Sequence, residues 1–160
     1  MDRELETLKE RIKSEDWDTC KSAVDRLAVI DSVESTNILL DMLKSNDSQV
    51  RNLAAIAMRD SKDQKYLNPI IQRLKELGPQ GQIGTLVYAL ENLDCSRNLY
   101  DIANLNLNSG TNLEVKHSTT VILNEQTFRL TNSELEKVKE MLDRFDFSIE
   151  GFDTKYEVLD

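Results

Sequence analysis

The chain has 160 residues, 39% of them hydrophobic and 31% charged, and a formal net charge of −9 at pH 7. This length corresponds to one ordinary domain, and the acidic balance argues against nucleic-acid binding, because no basic stripe is available to neutralise phosphates. A basic protein is the natural partner of such a surface. With only five glycines and two prolines to break helices, the composition predicts a mostly helical chain.

Helical periodicity recurs between turn signals along the chain and predicts an all-α fold of about nine helices. Polar residues mark helix starts, with Ser14 before the second helix, Ser32 or Ser35 before the third and Asp47 before the fourth. Gly78 ends the fifth helix. Most connecting loops are short, which makes consecutive helices antiparallel. The predicted helices span residues 2–13, 16–29, 34–44, 48–59, 64–77, 82–93, 96–106, 112–124 and 133–145.

Two segments lack the helical period. Residues 124–131 alternate Phe128 and Leu130 with polar residues, which predicts an extended strap packed on the last helices. Residues 147–160 form a predicted non-helical C-terminal tail, and residues 1–146 a helical repeat domain. The aromatic residues of the tail favour its folding back onto the body, although a free tail stays open as the alternative.

A weak internal repeat appears when the sequence is compared with itself at a shift of 31 residues. The shift superimposes polar caps on polar caps and apolar positions on apolar positions. It lays Asp16, Ala23, Val24 and Leu27 on Asp47, Ala54, Ala55 and Met58. Two helices in a period of about 30 residues are typical of an α-solenoid, whose hairpins must stack to bury their apolar faces. A helical bundle without repeats is the alternative.

Residues 39–58 resemble the core of a HEAT repeat, which joins an apolar first helix to an Ala-rich second helix through an Asp-x-x-Val-Arg turn. The turn residues here are Asp47, Val50 and Arg51, and Ala54 belongs to the second helix. The resemblance implies a right-handed α-solenoid of four to five hairpins, with Val50 in the seam. It also implies that Arg51 reaches an acidic group or a carbonyl on an adjacent repeat.

In HEAT-like solenoids the second helix of each hairpin lines the concave surface, which is the usual binding face. The resemblance therefore selects outward positions of the helices predicted at 16–29, 48–59, 82–93 and 112–124. Three residues separate Tyr88 from Glu91, so a helix would present both on one face. The predicted partner-binding residues are Asp18, Asp25, Asn52, Tyr88, Glu91 and Glu114, with Asp94 and His117 near the rim.

The chain shows no nucleophile elbow, glycine-rich phosphate loop or Cys/His metal motif, so we expect neither an enzyme nor a cofactor or metal site. Cys20 and Cys95 lie far apart in sequence and read as two reduced thiols, with a disulfide or a reactive thiol left open. Residues 1–16 hold no apolar run typical of a signal peptide. The longest apolar run, residues 53–58, is too short for a membrane span. We therefore expect a cytoplasmic protein that does not bind membranes.

The region from residue 84 to residue 127 resembles small acidic HEAT-like proteins of bacteria that serve as immunity proteins against polymorphic toxins. The matching residues are Leu86, Tyr88, Ala89, Leu90, Glu91, Asp94, Cys95, Glu125 and Gln126. The resemblance implies a non-enzymatic cytosolic inhibitor that blocks a cognate toxin enzyme through an acidic concave face. Residues 81–160 carry a net charge of −7, which suits a basic cleft. A general HEAT-like adaptor or assembly scaffold is the alternative function.

Overall fold

The computed structural model describes residues 2–30, 32–79 and 81–159. About 71% of the described chain is helical, which confirms the all-α expectation. Met1 and Asp160, the outer limits of the two predicted regions, lie outside the described residues, as do Asp31 and Gln80. The α-helices are α1 (Asp2–Arg11), α2 (Trp17–Val29), α3 (Val33–Lys44), α4 (Ser48–Ser61), α5 (Leu67–Leu77), α6 (Gly84–Ala89), α7 (Leu99–Asn108), α8 (Leu113–Glu125) and α9 (Asn132–Asp143). Short 3₁₀ turns span Gln64–Tyr66, Leu90–Asn92 and Ile149–Phe152, and the strands are β1 (Thr127–Thr131) and β2 (Lys155–Leu159).

Local capping explains most of the helix boundaries. Ser32 caps α3 and Asp47 caps α4 by accepting hydrogen bonds from backbone N–H groups of the first turn, as predicted. The prediction of Ser14 as the cap of the second helix is wrong, because the Asp16 carboxylate accepts from Thr19 N–H at 2.8 Å. Gly78 ends α5 with a φ of +68°, a conformation that glycine adopts without steric cost.

The even-numbered helices form one continuous layer, in which α4 packs between α2 and α6, and α6 packs between α4 and α8. Helices α1, α3 and α7 each pack against the helix that follows, and α9 packs against α7. The core runs between these helices, and Ala54, Ala55 and Ala57 of α4 are fully buried. Val50 was expected in the seam but is only partly buried, because it lies in the first turn of α4, next to the hairpin loop. In the described ranges no helix combines the length and apolar character needed to span a membrane.

The helices predicted at 82–93 and 96–106 are shorter than expected. Helix α6 has six residues and continues only as a 3₁₀ turn, and α7 begins at Leu99. Two glutamine amides hold the intervening loop. Gln64 bonds to both the N–H and the C=O of Asp94, and Gln126 accepts from Cys95 N–H and donates to Leu93 C=O. Because these bonds occupy the backbone groups of the loop, it does not continue a helix.

The strap predicted at 124–131 contains strand β1, whose Phe128 and Leu130 are buried, as the alternation indicated. Strand β2 lies parallel to β1, with Phe128 opposite Tyr156 and Leu130 opposite Val158. Both strands contact α9. The C-terminal region is therefore joined to the body through β2, and its 3₁₀ turn, Ile149–Phe152, differs from the wholly non-helical tail that was expected.

Candidate protein-binding face

A groove crosses the even-numbered layer over α4, α6 and α8. One cavity of about 280 Å³ is lined by Gly84, Thr85, Tyr88, Glu114, His117 and Ser118. A neighbouring cavity of about 310 Å³ shares Gly84, Thr85 and Glu114 and adds Asn52 from α4. The groove therefore brings together four residues that the sequence selected, Asn52, Tyr88, Glu114 and His117.

Gly84 of α6 leaves room for the Glu114 side chain of α8. The Glu114 side chain lies directly against this glycine, so a Cβ atom at position 84 would overlap its carboxylate. Gly84 is buried in the first turn of α6, whereas Glu114 is exposed in the first turn of α8. The missing side chain at position 84 thus allows a negative charge to lie in the groove.

Tyr88 is held in position by a cation. The Arg59 guanidinium carbon lies 4.1 Å from the centre of the Tyr88 ring, within the range of a cation–π interaction. Arg59 also forms an ion pair with Asp60 at 3.0 Å. The Tyr88 ring remains 41% exposed, so it is oriented but accessible. Such an aromatic side chain loses little conformational freedom on binding.

Asn52 supplies an unpartnered hydrogen-bonding group at the edge of the groove. Its side-chain oxygen is buried from solvent and has no hydrogen-bond partner among the described residues. A buried acceptor without a partner is unfavourable, so a bound molecule that draws the Asn52 side chain outward and donates to it would remove this cost.

An acidic cluster continues the face onto α2. Lys21 forms a 2.6 Å ion pair with Asp25, and this hydrogen bond raises the pKa of Lys21 above its ordinary value. The charges of Asp60 and Asp18 raise it further, which means that three carboxylates from α2 and α4 surround one ammonium group. The cluster of Asp18, Asp25 and Asp60 around Lys21 therefore contains more carboxylates than cations, even when Arg59 is counted as the partner of Asp60.

Two of the selected residues lie elsewhere. Glu91 belongs to the 3₁₀ turn after α6, is partly buried and lines neither cavity of the groove, although it was expected to share a face with Tyr88. Asp94 lines a separate polar cavity with Ser96 and Arg129. Hydrogen bonding from Ser96 lowers the pKa of Asp94, so its carboxylate stabilises a turn.

Another cavity, of about 520 Å³, lies on the opposite side of the layer between α5 and α7. It is mainly apolar, with Leu74 and Tyr100 in its lining, and a 2.9 Å ion pair between Lys75 and Asp101 crosses it. Sequence analysis did not select this cavity. A gap between two helices depends on how they pack against each other, so it leaves no local signal in the sequence.

Neither cysteine is poised for nucleophilic chemistry. Cys20 and Cys95 are both buried free thiols, and burial raises the pKa of Cys95 to about 12. That thiol is therefore protonated at neutral pH. In the part of the chain that the structure describes, no three His, Cys, Asp or Glu side chains are grouped to hold a metal ion.

Arg59 and Gly84 are the groove residues that sequence analysis missed as contributors. Arg59 lies seven residues after Asn52 on α4, so helical spacing alone puts the two on the same side. Gly84 begins the region that resembles the immunity proteins, but it was not selected as a site residue. Comparison of the chain with family models, with curated proteins and with solved structures finds no match.

Proposed function

We propose that the chain is a short right-handed HEAT-like α-solenoid that works as a non-enzymatic protein-binding module. Its most specific form is a cytosolic immunity protein that blocks a basic toxin enzyme. The observation that carries the proposal is the continuous layer of α2, α4, α6 and α8, which gathers an oriented tyrosine, a carboxylate and an unpartnered amide in one groove. Stacked hairpins whose second helices share one layer are the arrangement of an α-solenoid.

The chemistry of the groove suits a partner with both a cation and an apolar contact. Glu114 offers a negative charge, Asn52 an acceptor and Tyr88 an aromatic surface, the residue type most often found at binding hot spots. The cluster of Asp18, Asp25 and Asp60 around Lys21 adds negative potential beside it. Arg59 makes the face less uniformly acidic than the net charge suggests. We therefore propose a partner with a cation near Glu114 rather than an evenly basic surface.

The first experiment identifies the partner and measures how it binds. The chain is used to capture proteins from cells that encode it, and the gene next to it is tested for a toxin domain. Binding of the purified pair is then followed at several salt concentrations. Charge attraction is screened within about 10 Å at 0.1 M salt, so the association rate should fall as salt rises. An association rate that does not change with salt would contradict the electrostatic part of the proposal.

Two matched pairs of variants locate the interface. Glu114→Lys should slow association, whereas Glu140→Lys makes the same charge change on α9, outside the groove, and should not. Tyr88→Ala should speed dissociation by about thirtyfold, an effect of about 2 kcal/mol. Tyr100→Ala is its control, because Tyr100 is 43% exposed against 41% for Tyr88 but lies in the cavity between α5 and α7.

The adaptor function is the second candidate, and the cavity between α5 and α7 is what favours it. A scaffold needs a second contact surface, and this mainly apolar cavity lies away from the groove. The two variants above separate the candidates. An inhibitor that uses the groove alone loses affinity with Tyr88→Ala only, whereas an adaptor that also uses the second cavity loses a partner with Tyr100→Ala.

A further inference from the structure

Strand β2 leaves one side of the two-stranded sheet open. It pairs only with β1, and no other described segment forms a backbone hydrogen bond with residues 155–159. Every residue of β2 is exposed. An edge strand of this kind presents a row of free N–H and C=O groups that another strand can bind.

The apolar face of the sheet is buried at β1 but exposed at β2. Phe128 and Leu130 of β1 are 0% and 2% exposed, whereas Tyr156 and Val158, opposite them on β2, are 38% and 41% exposed. Residues opposite each other in a sheet point to the same face, so the apolar surface of the core continues past β1 and ends in solvent. One more strand beside β2 would extend the cover over Tyr156 and Val158.

The charges of β2 are complementary to a second copy of the same strand. In an antiparallel pair of two β2 strands with Tyr156 on the two-fold axis, each Lys155 lies opposite the Glu157 of the other copy. Moving the axis to Glu157 places two carboxylates opposite each other, and moving it to Lys155 places two ammonium groups opposite each other. Like charges in direct opposition destabilise a sheet, whereas opposite charges stabilise it.

The backbone geometry agrees with this register. An axis through a residue of β2 runs perpendicular to the sheet, so the apolar faces of both copies lie on the same side. Tyr156 and Val158 of one copy then continue the face formed by those of the other. Lys155 forms no ion pair with the described residues, so it is available. Glu157 has only a 3.7 Å contact with Arg129.

We propose that the chain forms a symmetric dimer by antiparallel pairing of its β2 strands, with Tyr156 on the two-fold axis. The dimer contains a four-stranded sheet in the order β1, β2, β2, β1. This interface is on the C-terminal sheet, whereas the binding groove is on α4, α6 and α8, so the dimer does not depend on the function proposed above. Because few residues pair, the dimer is weak and forms at high protein concentration.

The test measures the mass of the full chain by sedimentation equilibrium up to about 0.5 mM, a concentration that detects dimers with submillimolar dissociation constants. The wild-type chain should dimerise as its concentration rises. Lys155→Glu places carboxylates opposite carboxylates, and Glu157→Lys places ammonium groups opposite ammonium groups. Each change should weaken the dimer by about tenfold. Lys116→Glu, the same charge change at an exposed position of α8, should leave it unchanged.

Mixing the two reversed variants gives the decisive result. One copy then carries two glutamates and the other two lysines on β2, so both cross-strand pairs are attractive and a heterodimer should form. Circular dichroism of each variant checks that it remains folded. A wild-type chain that stays monomeric at the highest concentration overturns the proposal. So does a dimer that both single variants leave intact, or a mixture of folded variants that does not associate.

Discussion

The hairpins α3–α4 and α7–α8 are built alike but are held together by different chemistry. Both join two helices through a short loop, and both bury a polar side chain near that loop. In α3–α4 this side chain is the charged Arg51, whereas in α7–α8 it is the neutral Asn106. The two hairpins therefore show two ways of satisfying backbone groups near a helical turn.

Arg51 closes the loop of its own hairpin. Its guanidinium donates to Ser45 C=O at 3.0 Å and to Asn46 C=O at 2.8 Å, although the side chain is only 4% exposed. The expectation that Arg51 bonds to an adjacent repeat is wrong. Arg73 of α5 makes that contact instead, donating to Ser45 C=O at 3.1 Å. Two arginines thus converge on the C-terminal end of α3, where unpaired carbonyls favour cations.

Asn106 acts between helices rather than on a loop. Its amide donates to Thr119 Oγ1 at 2.9 Å and to Thr120 Oγ1 at 3.1 Å on α8, and Ser109 Oγ donates to Asn106 C=O. In the other hairpin, the buried Ala54 of α4 has no polar side-chain atom to satisfy. Small alanines allow α4 to pack closely against its neighbours, whereas side-chain hydrogen bonds join α8 to α7. The comparison predicts that the stability of α3–α4 depends mainly on a buried charge. The stability of α7–α8 should depend mainly on the hydrogen bonds of a side-chain amide.

The largest effect should come from Arg51→Ala. Removing two charge-assisted hydrogen bonds from a buried site should lower the free energy of unfolding by about 3 kcal/mol, as measured by urea denaturation. Arg51→Lys keeps the charge but lacks the planar fork, so it should lose about half as much. Because Arg51 is buried, the affinity for a binding partner should change little. Full stability with lost binding would instead make Arg51 a contact residue.

Ala54→Leu should have the next largest effect. Ala54 is fully buried in the seam of α4, so three extra carbon atoms must displace neighbours, at a cost of about 2 kcal/mol. Gln49→Leu on the exposed side of the same helix is the control and should change stability by less than about 0.5 kcal/mol. Equal effects of the two substitutions in thermal denaturation would contradict close packing of α4.

Asn106→Ala should lower stability by about 1.5 kcal/mol, less than Arg51→Ala, because it removes neutral hydrogen bonds. Thr119 Oγ1 still donates to Val115 C=O, so its hydroxyl keeps one partner. Asn108→Ala is the matched control, since the Asn108 amide bonds only to Asn104 on its own helix. A loss from Asn106→Ala as large as that from Arg51→Ala would remove the distinction between the two hairpins.

The smallest expected effect is on the loss of stability at acidic pH. Neither Arg51 nor Asn106 titrates between pH 3 and pH 7, so turn carboxylates such as Asp94 must carry part of the acid sensitivity. Hydrogen bonding from Ser96 lowers the pKa of Asp94 in the folded chain. The ionised Asp94 carboxylate therefore stabilises the folded chain fully at pH values above its pKa in the unfolded chain, which is near 4. This stabilisation is lost as the pH falls through the lower pKa that Asp94 has in the folded chain. Between pH 7 and pH 3 the free energy of unfolding should decrease by about 0.3 kcal/mol less in Asp94→Asn than in the wild-type chain. The difference is small because solvent screens this exposed group.

The candidate face was predictable from sequence only in part. The HEAT resemblance selected the outward positions of α2, α4, α6 and α8, and the structure brings six of the eight selected residues onto the even-numbered layer. Glu91 lies in the 3₁₀ turn Leu90–Asn92, is partly buried and lines neither cavity of the groove. The three-residue spacing from Tyr88 does not predict this burial, because burial depends on which elements pack over the turn. Asp94 follows in a loop, where spacing carries no information.

The sequence by itself determined where most helices begin and end and which side of each is apolar. A cap such as Asp47, a stop such as Gly78 and an apolar stripe all act within a few residues, so the chain specifies them locally. Only the tertiary structure decided the glutamine bonds of the 93–98 loop, the Arg59–Tyr88 contact and the pairing of β1 with β2. These contacts join residues about 30 positions apart, and no local pattern records a partner at that distance.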